Sequence, residues 1–181
     1  MPGSRGRWCC RLVPGLAAVA VGWVGAVVSG PPARAVPFDT GDQPTPCWSD
    51  RIAVNASPIQ AAVGHRAVTL YFSLASGVEP CTLTGYPGVD TGDGGPLLHG
   101  EPTPRGYMGG LPVGVEVPPT VTLSLSTQAQ AVVEGVAIDR DGNLCPTYTG
   151  LLVTPPDAGQ VFSVAAPIDA CSLQVHPVTA G

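Results

Sequence analysis

The chain has 181 residues, thirteen of them acidic and eight basic, and every basic residue is an arginine. The charge is unevenly divided: residues 1–35 hold four arginines and no acid, so residues 36–181 carry four arginines against all thirteen acids, a net of −9. So acidic a domain lacks the basic stripe that phosphate neutralisation demands, which excludes nucleic acid as an expected partner and disfavours anionic lipid headgroups.

The chain begins with Arg5, Arg7 and Arg11, then an apolar run from Leu12 to Val28, then Ala33-Arg34-Ala35. This is the layout of a secretory signal peptide, residues 1–35, cleaved after Ala35. The run falls short of the roughly 20 apolar residues a bilayer span needs, and Pro14 and several glycines interrupt it, so no stable membrane insertion is expected after cleavage. Cys9 and Cys10 leave with the peptide. Residues 36–46, with Gly41 and Pro44, read as a flexible linker, and residues 47–181 are the right length for one domain.

The 24 glycines and 21 prolines would signal disorder in a chain without pattern. Alternating apolar segments point instead to an all-β domain with many turns. The first strand candidate is Asp50 to Ala56. In Ala67 to Leu74, Val68, Leu70, Phe72 and Leu74 alternate with Thr69, Tyr71 and Ser73, the pattern of a half-buried antiparallel strand. Thr82 to Thr84 and Val89 flank the turn Gly85-Tyr86-Pro87-Gly88, and Asp93-Gly94-Gly95-Pro96 turns the chain into Leu97-Leu98. Gly100 to Gly114 reads as a long loop. Val121, Leu123 and Leu125 alternate, Ala131 to Ile138 supplies another strand, and 139–143 is a turn. Leu151 to Thr154, Val161 to Val164 and Leu173 to Val178 complete seven to nine short strands, which indicates a sandwich.

Four cysteines lie in the domain, and four allow three pairings. An antiparallel strand pair brings together residues symmetric about its turn. Cys145 and Cys171 are centred on Pro155-Pro156-Asp157-Ala158-Gly159, and Cys47 and Cys81 on Gly64, between the first two strand candidates. The expected bridges are therefore Cys47–Cys81 and Cys145–Cys171. Their wide spacing lacks the short paired motifs of a zinc site, and disulfides suit an exported chain.

The stretch Gly64-His65, the alternating strand, and then Cys81-Thr82-Leu83-Thr84-Gly85-Tyr86-Pro87-Gly88-Val89 resembles an actinobacterial family of secreted proteins classed as a domain of unknown function, DUF4232. The similarity runs from about Cys47 to Val178 and includes Pro155-Pro156 and Val175-His176-Pro177. Where that family often has a Pro-Gly turn before the strand matched by Ala129 to Val136, this chain has Ser126-Thr127-Gln128. The resemblance implies an exported immunoglobulin-like antiparallel β-sandwich with two disulfides, and no established activity or catalytic residue.

Chemical motifs are sparse. No Gly-x-Ser-x-Gly elbow occurs. His65, His99 and His176 are the only histidines: His65 reads as a surface or capping residue at a strand entrance, and His99-Gly100-Glu101 as a solvated loop fragment with too few ligands for a closed metal site. Asp139-Arg140-Asp141-Gly142-Asn143 resembles a calcium loop but lacks its glycine and glutamate positions, and Asp90-Thr91-Gly92-Asp93-Gly94 is similar; both read as turns. Asn55-Ala56-Ser57 matches a glycosylation sequon but is followed by Pro58. Tyr86 is read as a corner tyrosine that buries its ring and bonds the backbone. No catalytic residue, cofactor or metal is expected.

The loop with Arg105, Tyr107, Met108 and Leu111 has the composition of a recognition surface. The expected function is an exported, non-catalytic β-sandwich that binds an extracellular protein or glycan, secreted or held at the cell envelope. The alternatives are an extracytoplasmic hydrolase with a carboxylate or histidine site, and a purely structural envelope protein.

Overall fold

The computed structural model describes residues 44–75 and 78–181. The expected signal peptide and its cleavage point, Cys9, Cys10 and the expected linker up to residue 43 lie outside the described residues. A 3-10 turn (Ser49–Arg51) leads into β1 (Ile52–Ala56), β2 (Gln60–Ala62), β3 (His65–Leu74), β4 (Cys81–Thr84), β5 (Gly88–Thr91), β6 (Gly100–Pro102) and β7 (Thr120–Leu123). There follow β8 (Ala129–Val136), β9 (Thr147–Tyr148), β10 (Leu151–Thr154), β11 (Phe162–Val164), β12 (Ile168–Asp169), β13 (Leu173–Val175) and β14 (Thr179–Ala180). The largest sheet runs β1-β3-β8-β13-β6, with β2 also on β3 and β14 also on β8; the other ladders are β11-β10-β5, β12-β9 and β4-β7. All pairings are antiparallel except β13 with β6. The fold is all-β and sandwich-like.

The alternation in β3 does what its pattern requires: Val68, Leu70 and Phe72 are fully buried, while Thr69, Tyr71 and Ser73 are half-buried. These side chains meet Ala131 and Val133 of β8, Val175 of β13, and Leu83, Leu123, Leu151, Val153 and Ile168 from the smaller ladders in one core. Burial of this apolar surface is the main stabilising term, at about 25 cal/mol per Å².

Both disulfides form as expected, Cys47–Cys81 and Cys145–Cys171. For the second the symmetry argument holds in detail. Leu151 pairs with Val164, Tyr148 with Ile168 and Thr147 with Asp169, so the register carried two residues outward sets Cys145 opposite Cys171. For the first it holds only in outline. The β1–β3 ladder pairs Ile52 with Leu74, and Cys81 is reached beyond its end, in β4, through a parallel bridge of Pro46 to Thr82. That bridge, with the Cys47 amide on the Thr82 carbonyl and the Thr82 amide on the Thr45 carbonyl, both at 2.9 Å, starts the domain slightly before Cys47. Two such bridges fit an extracellular protein, where thiols are oxidised. No helix among the described residues is long and apolar enough to cross a membrane.

Several boundaries differ from expectation. Ser49 to Arg51 is a 3-10 turn, so β1 starts at Ile52. Leu125 does not extend β7: it sits 94% exposed in a tight turn closed by Ser124 and Thr127. Strand β6 lies inside the segment read as loop, because Gly100 to Pro102 pair with Leu173 to Val175. The corner role assigned to Tyr86 belongs to Tyr148, whose buried ring sends its hydroxyl to the Pro96 carbonyl at 2.7 Å; Tyr86 is half-buried. The 139–143 segment is a turn, with Oδ1 of Asp139 accepting from the amides of Asp141 and Asn143.

Candidate functional site

Strand β8 alternates in the usual way, with Ala129, Ala131 and Val133 facing the core, so Glu134 belongs to the opposite, outer face of the sheet. It is nonetheless only 3% exposed. The cause is the segment 103–111, which leaves β6 and lies across that outer face as a strap. Gly106 approaches Glu134 and His176 so closely that a Cβ there would overlap Oε2 of Glu134, and a Cβ at Gly109 would sit 2.8 Å from Val132. Glycine at both positions lets the backbone lie flat against the sheet.

The strap is tied down from below and within. The Met108 amide donates to Oε2 of Glu134 at 2.9 Å and the Tyr107 amide to Oε1 at 3.3 Å. The Thr103 amide donates to the Val175 carbonyl at 2.9 Å, and the Leu111 amide to the Pro104 carbonyl at 2.7 Å. The Arg105 guanidinium donates to the carbonyls of Leu111, Pro112 and Val115 and to Oε1 of Glu116, stapling the strap to the segment that follows.

The register also brings two histidines to Glu134. His65 pairs with Val136 across β3 and β8, which makes it the diagonal neighbour of Glu134 on one side. His176 continues β13 with its amide on the Val132 carbonyl, which makes it the diagonal neighbour on the other. Nδ1 of His176 lies 2.9 Å from the Thr103 carbonyl oxygen and Nε2 lies 3.4 Å from Oε2 of Glu134. Both its ring nitrogens therefore face oxygen atoms of neighbouring elements. Nδ1 of His65 is 2.6 Å from Oε1 of Glu134, but it is out of line for a hydrogen bond, so the contact is one of charge proximity. Burial works to raise the Glu134 carboxyl; the Met108 amide, His176, His65 and the Tyr107 amide outweigh it and hold the group below the ordinary glutamate value.

Of the four loop residues singled out from the sequence, only Tyr107 is well presented. It is 60% exposed and stacks on His65 with ring centroids 4.8 Å apart and an interplanar angle of 21°. Arg105 turns onto its own loop, Met108 is half-buried, and Leu111 is buried at 5% exposure. The other histidines are placed as follows. His99 lies on the exposed surface, as its solvated-loop reading has it, and meets Asp90 at 2.6 Å. His65, read as a capping residue, is part of the Glu134 cluster. Sequence reasoning gives no role to Glu134 or His176; the one available signal is a lone carboxylate in the apolar run Ala131-Val132-Val133-Glu134-Gly135-Val136. No group of three histidine, cysteine or acidic side chains placed to hold a metal ion occurs among the described residues.

The arrangement is a pre-organised ledge: a strap clamped through a buried carboxylate, with one aromatic ring displayed on top of another. A family model described as "Domain of unknown function (DUF4232)" matches residues 47–179. No curated protein and no solved structure matches the chain.

Proposed function

The chain belongs to the DUF4232 family, and from that premise we propose that it is an exported, non-catalytic binding module, secreted or held at the cell envelope, whose partner is an extracellular protein or glycan. The observation that carries this reading is the strap. Its backbone is fixed by Glu134 while Tyr107 stands 60% exposed against His65. An aromatic side chain held rigid before the partner arrives gives contact area with little ordering cost. The arginine-rich start of the chain and the apolar run up to Val28 support export through a leader cleaved after Ala35.

The test is capture from culture filtrate and cell-wall material by the wild-type protein and by Tyr107→Ala. A discrete species retained by the first and lost by the second supports the reading; equal retention, or none, overturns it. Removing residues 100–111 would also remove β6 from the sheet, so the point variant is the cleaner probe.

The 2.6 Å approach of His65 to the buried Glu134 favours one other reading, a hydrolase in which a carboxylate orients an imidazole as general base. That role needs a directed hydrogen bond to fix the ring's tautomer, and the contact is not directed, so binding is preferred. Hydrolysis of ester, glycoside or peptide probes that disappears in His65→Ala would reverse that preference.

A further inference from the structure

We propose a second site, separate from the strap: the cleft beside Trp48 binds a small soluble alkylammonium cation. The cleft holds about 450 Å³ and is lined by Thr45, Pro46, Cys47, Trp48 and Asp157, a largely apolar surface with one carboxylate. That volume falls in the range of small-molecule sites. Its two walls come from opposite parts of the sequence and are locked together. Cys47 is bridged to Cys81, and the Gln160 amide donates to the Ser49 hydroxyl at 3.0 Å, joining the turn after Asp157 to the turn after Trp48. Asp157 itself adopts a left-handed backbone, φ 58°, and the Ala158 amide closes the turn on the Pro155 carbonyl. Aspartate is one of the few residues other than glycine that adopt this conformation readily.

The chemistry of the lining selects the ligand. Trp48 is 71% exposed, an unusual state for the largest apolar side chain. An indole face and a carboxylate attract the same thing, an organic cation: the ring through its quadrupole and the acid through its charge. Asp157 forms no ion pair among the described residues, and no arginine is among the described residues that line the cleft. A sugar would need more hydrogen-bonding groups than Thr45 and Asp157 supply. An anion is disfavoured by the net of −9 over residues 36–181. The same charge keeps the domain off anionic membranes, which is why the cation is a soluble one.

Trp8 and Trp23 are the only other tryptophans, so in a chain with Trp8→Phe and Trp23→Phe the emission reports Trp48 alone, whether or not the leader is retained. Titration with choline should change that emission saturably, and the neutral isostere 3,3-dimethylbutan-1-ol should bind about fivefold or more weakly. Asp157→Asn, which keeps the shape and tolerates the left-handed turn, should narrow the difference between the two ligands to what the indole face alone provides, with an unchanged melting temperature. No saturable response to choline, equal affinities in the parent protein, or discrimination undiminished in Asp157→Asn would each overturn the proposal. A response to phosphatidylcholine vesicles but not to free choline would overturn it in favour of a lipid headgroup.

Discussion

Gly106 lies against the carboxylate of Glu134 with no room between them for a methyl group. The contact joins a loop glycine to the one acid of β8, and it fixes how close the strap can come to the sheet. Gly106→Ala should lift the strap by forcing Oε2 of Glu134 and the His176 ring to give way. The expected cost is about 1–3 kcal/mol, the usual range for overpacking. Gly159→Ala, where a Cβ meets nothing within 4 Å and φ is not positive, should change stability little. Chemical denaturation of the two variants side by side checks both expectations.

Glu134→Gln keeps the shape but replaces one acceptor oxygen by an amide donor. Three groups hydrogen-bond that carboxylate, the Met108 and Tyr107 amides and His176, and His65 lies close beside it. At least one must lose its acceptor, and a hydrogen bond to a charged group is worth about 1.5–3 kcal/mol. Because the chain contains no lysine, trypsin can cut only at arginine, and the Arg105–Gly106 bond lies in the strap itself. Faster cleavage at Arg105 in Glu134→Gln, relative to Arg51 and Arg66, is the expected local readout. Unchanged cleavage would mean that the strap does not depend on the carboxylate.

The same node gives the fold an acid limit. Glu134 titrates below the 4.5 of an ordinary glutamate, so the unfolded chain takes up its proton before the folded one does. The stabilisation is therefore complete above pH 4.5 and is lost as the pH falls from there through the lowered folded value. Asp169 is depressed as well, held by the Thr147 hydroxyl and by Arg66, and loses its share below its own ordinary value of 3.8. The protection factors of the Met108 and Tyr107 amides, with the pH dependence of intrinsic exchange divided out, should fall on acidification in the wild type. In Glu134→Gln they should already be low and nearly flat, whereas Asp169→Asn should leave the strap's response intact.

What the sequence makes legible follows from the range of each signal. The β3 alternation and the cysteine symmetry are local or nearly so: Val68, Leu70 and Phe72 declare a face by their period of two, and Cys145 and Cys171 lie on one continuing register. Glu134 cannot be read in this way. Its period assigns it to the outer face, where a carboxylate is ordinary, and only the strap arriving from residues 103–111 makes it buried. His65 and His176 reach it from β3 and from the end of β13, far apart in the chain, through pairings that no local pattern announces. Leu111 errs in the other direction. Its place in a glycine-rich loop suggests display, yet the strap uses it as an internal anchor.

The β2–β3 hairpin turns on Val63 and Gly64, both with positive φ, 43° and 79°. Ala62 and His65 pair on either side, so the turn has two residues and the geometry that asparagine-glycine favours. Glycine suits its position. Valine does not, since a β-branched side chain at positive φ crowds its own backbone. Nor does burial recompense it, because Val63 is 84% exposed. Val63→Asn should remove the strain and stabilise the domain by about 1 kcal/mol, the low end of what such a conformation costs. The Ala137 amide bonds the Gly64 carbonyl at 2.8 Å, so the turn is also fastened to the end of β8, and the variant keeps that backbone hydrogen bond. A rise of a few degrees in melting temperature is the expected result. A fall would mean that the valine side chain stabilises this end of the domain in a way asparagine cannot, for instance by packing against a second molecule that covers it.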